Sequence, residues 1–552
     1  MPSALDEIAG IYAINDISDK NYPALVHDHS LAFFNENALH CIQLERLTRS
    51  KYDARMPKFI DSFFKDKTIN LNKLKILIHV DNEIGGSFIS SSGKFRAETI
   101  NNKKICVNPT KSKAMWNGQE TEAYSVNHEL AHICSAIPFY GEIKPNSLLI
   151  HFDGGASKSN FSCWLFRDNK LKLIENHYKL KPLTNLFNAN ALTFALVGGS
   201  IKDQNGVPGK FMGLASYGMY NKKIELWLKE HKFFNDIWKS KKVFFDALAL
   251  FTGKVYKHID VRESVFQDIA ATIHEIFVRD TFKIFRNLAT KHRPDYLYYS
   301  GGVALNIKLN KLLYESNLFN EIFIPPCPGD SGLALGALAA YTHFNKIKFP
   351  KCSPYLNNIG IESYKQFEYT KNDLKEIAGE IAEGKIIGIC NGYGEIGPRA
   401  LGNRSIVARP DSVSLAKKVS IDCKNREWYR PVAPVMLADN FKYFTGKQDI
   451  PAAAKYMLYD FVILPEKVNE IEGCVHVDGT SRIQVISTHD ENPYLFDLLT
   501  LLDKNHQIKA LINTSFNIKG EPIVHTHEQA LISGKKMQLD YVVLQGRLKK
   551  LM

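Results

Sequence analysis

The residues Leu148-Leu149-Ile150-His151-Phe152-Asp153-Gly154-Gly155 form an apolar run that ends in a carboxylate and two glycines. A short continuous apolar run followed by turn formers predicts a buried β-strand. This strand would deliver Asp153 at its end. A second apolar run, Ile322-Phe323-Ile324-Pro325-Pro326-Cys327-Pro328-Gly329-Asp330, delivers Asp330 in the same way. The sequence therefore predicts two carboxylates at strand ends.

A pair of histidines lies upstream of these strands, in His128-Glu129-Leu130-Ala131-His132. Histidines four residues apart share one face of a helix, so two imidazoles can coordinate one metal ion. Together with Asp153 and Asp330 they predict a site with two histidines and two aspartates. Nitrogen and hard oxygen ligands suit Fe(II), Mn(II) or Zn(II) better than a thiolate site would.

The same five residues match H-E-x-x-H, the zinc-protease helix in which the glutamate is the general base. A protease is therefore an alternative function, although it leaves Asp330 without a role. Two histidines that bind no metal are a further alternative.

Composition limits the class of protein. The chain has 552 residues, which predicts two or three domains, and its net charge of +12 comes from lysines spread along the sequence. A spread positive excess favours anions such as phosphorylated metabolites over a nucleic-acid patch. The nine cysteines include no C-x-x-C pair, which indicates reduced thiols in a cytoplasm. No membrane span is expected, because no run of 18 apolar residues occurs.

Short apolar runs alternate with helical patterns, which predicts an α/β architecture. Strands are expected near 8–14, 22–26, 74–80, 146–152, 295–299 and 321–325, then near 385–390, 431–437, 474–478, 482–487, 509–512 and 540–545, with long helices over 262–290 and 331–343. The polar stretch 83–123 is predicted to form surface loops.

A proline-containing stretch divides the chain. The expected organisation is an N-terminal domain over 1–348, a linker over 349–361 and a second α/β domain over 362–552.

Cationic and amide side chains are concentrated in four segments of the C-terminal half: Gly394–Ser405, Lys424–Pro431, Val477–Arg482 and Ile512–Asn517. Arginine forks with asparagine and serine donors are what a doubly anionic phosphate requires. The candidate phosphate-binding residues are Arg399, Arg404, Lys424, Arg430, Arg482, Asn513 and Ser515.

Three further features belong to the N-terminal half. The stretch Ser300–Asn306 has a double glycine, Gly301-Gly302, that would let a nucleotide approach the backbone, although such a pair is also common in tight turns. Lys210 lies in a glycine-containing stretch that would form either a substrate wall or a loop beneath a helix. His27 follows a strand-like run and could act as a general base or as a structural histidine.

Taken together, these motifs resemble the O-carbamoyltransferases of the NodU/CmcH family, which include TobZ-type enzymes. The resemblance covers most of the chain, and the run Gly397-Pro398-Arg399-Ala400-Leu401-Gly402-Asn403-Arg404-Ser405 is specific to the family. It implies an N-terminal domain of the actin/sugar-kinase (ASKHA) type and a C-terminal YrdC-like domain.

The resemblance also implies a two-site reaction. ATP, with Mg²⁺, and carbamoyl phosphate would give carbamoyl-adenylate in the C-terminal domain. The carbamoyl group would then pass to a hydroxyl of a sugar, an antibiotic or another natural product, beside a metal that is iron in the family. His27 would accept the hydroxyl proton, whereas Gly301, Gly302 and Asn306 would line the nucleotide pocket. A cytoplasmic enzyme is implied, without nucleic-acid or membrane partners and compatible with a homodimer.

The sequence departs from the family pattern at three places. Asn127-His128-Glu129 occupies the stretch where the family has His-His before Leu-Ala-His, Gly154-Gly155-Ala156-Ser157 replaces Gly-x-Gly-Glu after the aspartate, and Ser216 replaces a proline. These positions would line the acceptor side, so they bear on the acceptor more than on the reaction.

Related enzymes remain as rivals. A HypF-type or threonylcarbamoylation enzyme is an alternative, but HypF carries C-x-x-C pairs and the reverse domain order. An actin-like nucleotide-binding module would not need the C-terminal arginines.

Overall fold

The computed structural model describes residues 5, 8–13, 26–35, 38–65, 74–81, 88–98, 104–188, 190–198, 201–234 and 241–551. The predicted strand over 22–26 lies outside these residues except for its last position. The mixed α/β architecture expected from the sequence is confirmed.

The first sheet contains eight strands within the described ranges. They are β1 Ile8–Tyr12, β2 Ser30–Asn35, β3 Ala38–Gln43, β4 Ile76–Asp81, β5 Phe88–Ile89, β6 Phe95–Ala97, β7 Thr110–Trp116 and β8 Gln119–Asn127. Their spatial order is β3-β2-β1-β4-β8-β7-β6-β5. Strand β1 is antiparallel to β2 and parallel to β4, which is in turn parallel to β8.

The prediction of surface loops over 83–123 is wrong where the structure describes that stretch, because β5 to β7 and the start of β8 lie there. Along β7 the side chains of Lys111 and Lys113 are exposed, whereas Ala114 is buried. An antiparallel strand with one face in water can be largely polar and still pair through its backbone. The polar composition therefore concealed these strands.

The second sheet has strands β9 Ser147–Phe152, β10 Phe161–Arg167, β11 Lys170–His177, β12 Tyr296–Ser300 and β13 Glu321–Phe323. Its order is β11-β10-β9-β12-β13. Strand β9 is antiparallel to β10 and parallel to β12. The arrangement repeats that of β3-β2-β1-β4-β8, so the N-terminal half is built from two topologically similar sheets.

Helices cover and separate the two sheets. They are α1 Leu44–Thr48, α2 Met56–Lys65, α3 His128–Cys134, α4 Ile137–Tyr140, α5 Lys181–Thr184, α6 Leu192–Val197, α7 Val207–Ala215, α8 Lys222–Glu230, α9 Lys241–Thr252, α10 Ser264–His292, α11 Ile307–Glu315 and α12 Leu333–Phe344. The two long helices predicted from the sequence are α10 and α12.

Helices α3 and α12 pack together in an apolar cluster shared by both sheets. A Cβ at Gly336 would lie 2.0 Å from the carbonyl oxygen of Ala131, so only glycine permits this approach. The close packing places the start of α12, with Asp330 just before it, beside the histidine face of α3.

The third sheet belongs to the C-terminal half and has the order β19-β16-β20-β15-β14-β21-β22 among the residues described. The strands after β13 are β14 Ile387–Cys390, β15 Arg404–Ala408, β16 Ala433–Leu437, β17 Phe461–Val462, β18 Thr480–Ser481, β19 Gln484–Ile486, β20 Ala510–Ser515, β21 Tyr541–Leu544 and β22 Arg547–Lys550. The helices are α13 Lys371–Ala382, α14 Val413–Lys417, α15 Ala438–Thr445, α16 Pro493–His506 and α17 His527–Lys536. Strands β17 and β18 form a separate pair.

The predicted strand over 474–478 is wrong. A short 3₁₀ turn ends at Cys474, and the amide of Gly479 then donates to the carbonyl of His476 at 2.9 Å. Gly479 has φ +74°, a conformation that favours glycine. The Asp478-Gly479 turn therefore ends the extended run.

The stretch predicted to be a linker forms hydrogen bonds with both halves of the chain. Asn357 bridges to Cys41 and to Gly394, and its side-chain amide donates to the carbonyl of Glu395 at 2.7 Å. One apolar cluster also includes Phe211 from the N-terminal half and Tyr429 from the C-terminal half. The domain boundaries stay a prediction, but the two halves share packed residues.

Within the described ranges, no helix combines the length and the apolar character needed to cross a membrane. All nine cysteines are free thiols.

Candidate active site

The predicted metal ligands converge around the buried helix α3. The Nε2 atoms of His128 and His132 are 3.0 Å apart, and Asp330 Oδ1 lies 3.4 Å from each of them. Asp153 Oδ2 lies 3.7 Å from His132 Nε2. The helix aligns the two imidazoles, and Asp153 directly follows the end of β9. The prediction of a strand that ends at Asp330 is wrong, because β13 ends at Phe323 and Asp330 begins a 3₁₀ turn ahead of α12. Pro325, Pro326 and Pro328 lack the amide donors that a longer strand would need.

These residues fit a divalent metal ion. Two imidazole nitrogens face one another within a buried site, and the Nδ1 atoms of His128 and His132 have no hydrogen-bond partner in the described part of the chain. The donor set of nitrogen and carboxylate oxygen suits Fe(II), Mn(II) or Zn(II).

Neighbouring groups orient the carboxylates. The amide of Gly302 donates to Asp153 Oδ2 at 2.6 Å, and the hydroxyl of Tyr12 donates to Asp330 Oδ2 at 2.9 Å. A Cβ at Gly301, which has φ +95°, would lie 2.2 Å from the carbonyl oxygen of Phe152. The double glycine, predicted to line a nucleotide pocket, thus allows the turn that holds Asp153.

Asn306 has a structural role where the sequence suggested nucleotide binding. Its Oδ1 accepts from the amide of Leu309 and caps α11, while its Nδ2 lies 3.1 Å from His274 Nε2. Both ends of this amide are therefore engaged.

His27 lies at the edge of the metal-ligand group. Its Nδ1 is 2.9 Å from Asp28 Oδ2, and its Nε2 is 3.9 Å from Asp330 Oδ2. Burial lowers the pKa of His27, but Asp330 and then Asp28 outweigh that effect and raise it to about 10. Without a cation the imidazole is thus protonated, and it can accept a proton only when the charge of Asp330 is offset.

The protease alternative needs Glu129 at the metal. Instead Glu129 Oε1 accepts from the amide of Lys158 at 2.6 Å and from the hydroxyl of Ser159 at 3.2 Å. Its carboxylate is buried against this loop and is held away from the histidine pair. The geometry does not support a zinc protease.

A buried carboxylate lies behind the ligand group. Asp81 accepts from Asn127 Nδ2 at 2.9 Å and from Ser157 Oγ at 2.9 Å, and Ser157 also accepts from the amide of His128. Burial raises the pKa of Asp81 to about 6. Two of the stretches that depart from the family pattern therefore meet in one hydrogen-bonded group, through Asn127 and Ser157.

A second centre lies in the C-terminal half, where Lys424 is buried. Its ammonium donates to Asn517 O at 2.7 Å, to Asn517 Oδ1 at 3.0 Å and to the carbonyl of Ser515. The hydroxyl of Ser515 donates to Asn517 Oδ1 at 2.6 Å. The predicted Lys424 and Ser515 are thus brought together.

Four arginines surround this lysine and affect one another electrostatically; we call them, with Lys424, the cation cluster: Arg399, Arg426, Arg430 and Arg482. Burial, then Arg430 and Arg426, lower the pKa of Arg399 to about 10. The pKa of Arg482 is lowered for similar reasons, and the Nε atoms of Arg399 and Arg482 have no partner among the described residues. Such crowding of half-buried arginines around a buried lysine is typical of an anion-binding site.

Glu427 is the carboxylate that accompanies the cluster. Its Oε2 lies 3.4 Å from Arg430 Nη1 and its Oε1 3.0 Å from Lys519 Nζ. Although burial raises its pKa, hydrogen bonds and these cations lower it to about 2. Arg426 is not among the predicted phosphate-binding residues, but its position within the cation-rich segment Lys424–Arg430 could have indicated it.

Arg404 and Asn513 are placed differently from the prediction. The guanidinium of Arg404 is fully buried, and its five N–H groups donate to the carbonyls of Asn391, Gly392, Asn403 and His525 at 2.7–3.1 Å. It braces loops and has no donor left for a phosphate. Asn513 Nδ2 donates to Gln484 Oε1 at 2.6 Å and to the carbonyl of Ala400, so it supports the residue after Arg399.

Lys210 also differs from the expected substrate wall beside the metal ligands. Its buried ammonium, on α7, lies 3.4 Å from Glu427 Oε1. It adds positive charge to the C-terminal centre. Lys308 also pairs with carboxylates of the C-terminal half, because its Nζ lies 2.7 Å from Oδ2 of Asp460 and 2.7 Å from Oδ2 of Asp478.

One segment of the N-terminal half lies beside His27 and also acts on the C-terminal half. The ring of Tyr52 packs against His27 with centroids 6.4 Å apart, and the charge of the adjacent Lys51 contributes to lowering the pKa of Lys424. Arg49 donates to the carbonyl of Ile523 at 2.7 Å. This segment therefore connects the surroundings of His27 with the C-terminal half.

The chain matches known protein families over most of its length. Residues 22–339 match the family model described as carbamoyltransferase N-terminus, and residues 378–550 match carbamoyltransferase C-terminus. The protein is therefore an enzyme of the carbamoyltransferase class. It belongs to the NodU/CmcH family of these enzymes.

Individual relatives agree with this assignment. The 3'-hydroxymethylcephem-O-carbamoyltransferase of Amycolatopsis lactamdurans is 28% identical over 76% of this chain and 78% of its own length. The nodulation protein NolO of Bradyrhizobium diazoefficiens is also 28% identical, over the same shares. An uncharacterized protein of Methanocaldococcus jannaschii is 27% identical over 92% of this chain and 95% of its own. Among solved structures, full-length HypF is similar with a TM-score of 0.32 and 13% identity, over 63% of this chain and 57% of HypF.

Proposed function

We propose that this enzyme forms carbamoyl-adenylate from carbamoyl phosphate and ATP at the cation cluster. The acceptor hydroxyl then attacks the carbamoyl carbon of the adenylate at the histidine–aspartate centre, so that the small-molecule acceptor is carbamoylated and AMP is released. The observation that carries the proposal is the cation cluster itself, in which buried Lys424 and four half-buried arginines repel one another beside the carboxylate of Glu427.

The first step requires one site to bind the phosphate groups of both carbamoyl phosphate and ATP. For the atoms to balance, water releases phosphate from carbamoyl phosphate, and the carbamate oxygen then attacks the α-phosphorus of ATP and releases pyrophosphate. Arg399, Arg430 and Arg482 offer forked donors that match phosphate oxygens. Arg426 and Lys424 add charge that is already desolvated, so it offsets negative charge developing in the transition state. Magnesium-bound ATP is the expected co-substrate.

The second step takes place where the metal ligands converge. His128, His132, Asp153 and Asp330 would hold the ion, which supplies Lewis-acid stabilisation of an anionic or carbonyl oxygen. His27 is placed to take the hydroxyl proton once the charge of Asp330 is offset. Tyr12 and Gly302 keep the two carboxylates in position.

Each half has a counterpart in the expected fold. The repeated order of the first two sheets supports an actin/sugar-kinase-like N-terminal half, and the seven-stranded mixed sheet is the candidate for a YrdC-like C-terminal half. Nine free thiols are compatible with a cytoplasmic location.

The acceptor is proposed to be a natural-product hydroxyl. The relative from Amycolatopsis lactamdurans carries the name of a hydroxymethyl acceptor, which supports O-carbamoylation of a small molecule. The decisive experiment measures exchange of labelled pyrophosphate into ATP by the full chain, with and without carbamoyl phosphate. Exchange that needs carbamoyl phosphate but no acceptor supports the adenylate step, and its absence in folded protein overturns it.

A further inference from the structure

His151 stands out as a buried histidine with an unpaired nitrogen next to the four predicted metal ligands. It is fully buried on β9, two residues before Asp153. Its Nε2 has no hydrogen-bond partner within the described structure, whereas its Nδ1 lies 3.4 Å from the hydroxyl oxygen of Ser162. A buried imidazole nitrogen without a partner is costly unless something not yet considered binds it.

The alternation of side chains along β9 points His151 towards helix α3. Leu148, Ile150 and Phe152 pack into one apolar cluster, whereas Leu149 belongs to the other, which contains α3. His151 shares the face of Leu149, and its ring stacks on that of His132 with centroids 4.8 Å apart. One ring nitrogen of each histidine and one oxygen of Asp153 lie within 4.8 Å of one another.

We infer that His151 is a third imidazole ligand of the proposed metal centre, bound through Nε2 to the same ion as His128, His132, Asp153 and Asp330. This inference rests on the metal centre proposed above and adds one residue to it. Two groups of candidate ligands, one formed by His128, His132 and Asp330 and the other by His132, His151 and Asp153, share His132, so one ion at this imidazole can contact both groups.

The distances between the three rings agree with one ion. A metal–nitrogen bond of about 2.0–2.1 Å places a ring centroid about 3.2 Å from the ion, so imidazoles at right angles are about 4.6 Å apart and opposite ones about 6.4 Å. The centroids of His128 and His132 are 4.8 Å apart, those of His132 and His151 are also 4.8 Å apart, and those of His128 and His151 are 6.3 Å apart. The pattern is that of three ligands in one plane of an octahedron.

The nitrogen atoms give the same answer. Right-angled ligands at this bond length have nitrogens about 2.9 Å apart and tetrahedral ones about 3.3 Å apart, and the observed separation in the α3 pair is 3.0 Å. Three imidazoles and two carboxylates fill five octahedral positions and leave one for a substrate oxygen. Fe(II) accepts such a set more readily than Zn(II), which prefers four ligands.

The hydroxyl of Ser162 can set the tautomer that this binding needs. The indole N–H of Trp164 donates to Ser162 Oγ at 3.0 Å, and the same oxygen has a second lone pair for the Nδ1–H of His151. A proton on Nδ1 leaves the lone pair on Nε2 free for a metal.

The test uses the full chain loaded with Fe(II) alone under anaerobic conditions. X-ray absorption at iron counts the imidazoles, and competition with a chelator gives the Kd. The variants are His151→Leu and, as a control, His79→Leu. His79 is likewise buried two residues before a strand-end aspartate, but its Nε2 is paired with Ser112 at 2.9 Å.

We expect three imidazoles in the parent protein and two in His151→Leu. Loss of a residue that only hydrogen-bonds a metal ligand typically weakens metal binding by about 10- to 100-fold. Loss of a direct ligand should raise the Kd for Fe(II) by at least this factor, whereas the Kd of the control variant should not change. Two imidazoles in the parent, two ions per chain, or an unchanged Kd in folded His151→Leu would overturn the inference. If circular dichroism shows that His151→Leu is unfolded, the test rests on His151→Asn and on the X-ray absorption spectrum of the parent protein. A parent that binds no iron would instead refute the metal centre itself.

Discussion

Lys210 of the N-terminal half lies 3.4 Å from Glu427 of the C-terminal half, and both side chains are largely buried. Glu427 also pairs with Arg430, a member of the cation cluster. The N-terminal half therefore contributes a charge to the centre proposed to form the adenylate. Neither half presents its full set of charged groups alone.

Arg430→Ala should slow carbamoyl-phosphate-dependent pyrophosphate exchange. The phosphate would lose a forked, charge-assisted contact worth about 2–4 kcal/mol, which corresponds to about 30- to 1000-fold in rate. Arg409→Ala is the matched control, because Arg409 pairs with Asp411 outside the cluster. Equal exchange rates in both variants would remove Arg430 from the site.

His132→Ala should lose the bound transition metal, because its Nε2 lies close to that of His128 and to both carboxylates. Elemental analysis of the purified variant measures this. Glu129→Gln should keep its metal, since Glu129 is turned towards Lys158 and Ser159. The protease alternative expects Glu129→Gln to abolish activity and Asp330→Ala to spare it, whereas we expect the reverse order of severity.

His27→Ala should separate the two half-reactions. Pyrophosphate exchange should stay nearly intact, because His27 belongs to the histidine–aspartate centre and contacts Asp330. Transfer to the acceptor should fall by about 10²- to 10⁴-fold, the usual effect of removing a general base. Intact transfer would assign His27 a structural role. Loss of both half-reactions in folded protein would contradict two separate centres.

Asp81 should make the free energy of unfolding depend on pH. Its pKa is raised by burial to about 6, above its ordinary value, so the folded state holds the proton more tightly than the unfolded chain does. The contribution of Asp81 to the free energy of unfolding should therefore be greatest at acidic pH and decline as pH rises through the interval between the ordinary value and about 6, by up to about 3 kcal/mol. Urea unfolding between pH 4 and 7 measures the slope.

Asp81→Asn keeps a side-chain acceptor for Ser157 and removes the titrating group. Its unfolding free energy should lack the Asp81 part of the pH dependence. A variant with the same slope as the parent would show that Asp81 does not carry the effect.

Local patterns in the sequence identified the residues whose geometry depends on one element at a time. The pair His128 and His132 needed only a helical period, and Asp153 needed only a strand that ends. The arginine-rich segments likewise revealed an anion-binding chemistry, because charge next to glycine and proline is visible without a fold. Membership in the carbamoyltransferase family followed from the order of these motifs.

Tertiary structure decided which partner each side chain meets. Arg404 and Arg399 lie five positions apart in one motif, yet the first is bound by backbone carbonyls and the second remains in the cation cluster. Lys210 reaches Glu427, and His151 reaches the proposed metal ligand His132, only because packed elements bring distant segments together. Periodicity specifies the face of a helix or strand, but contacts between elements depend on how sheets and helices pack, and no local pattern contains that information.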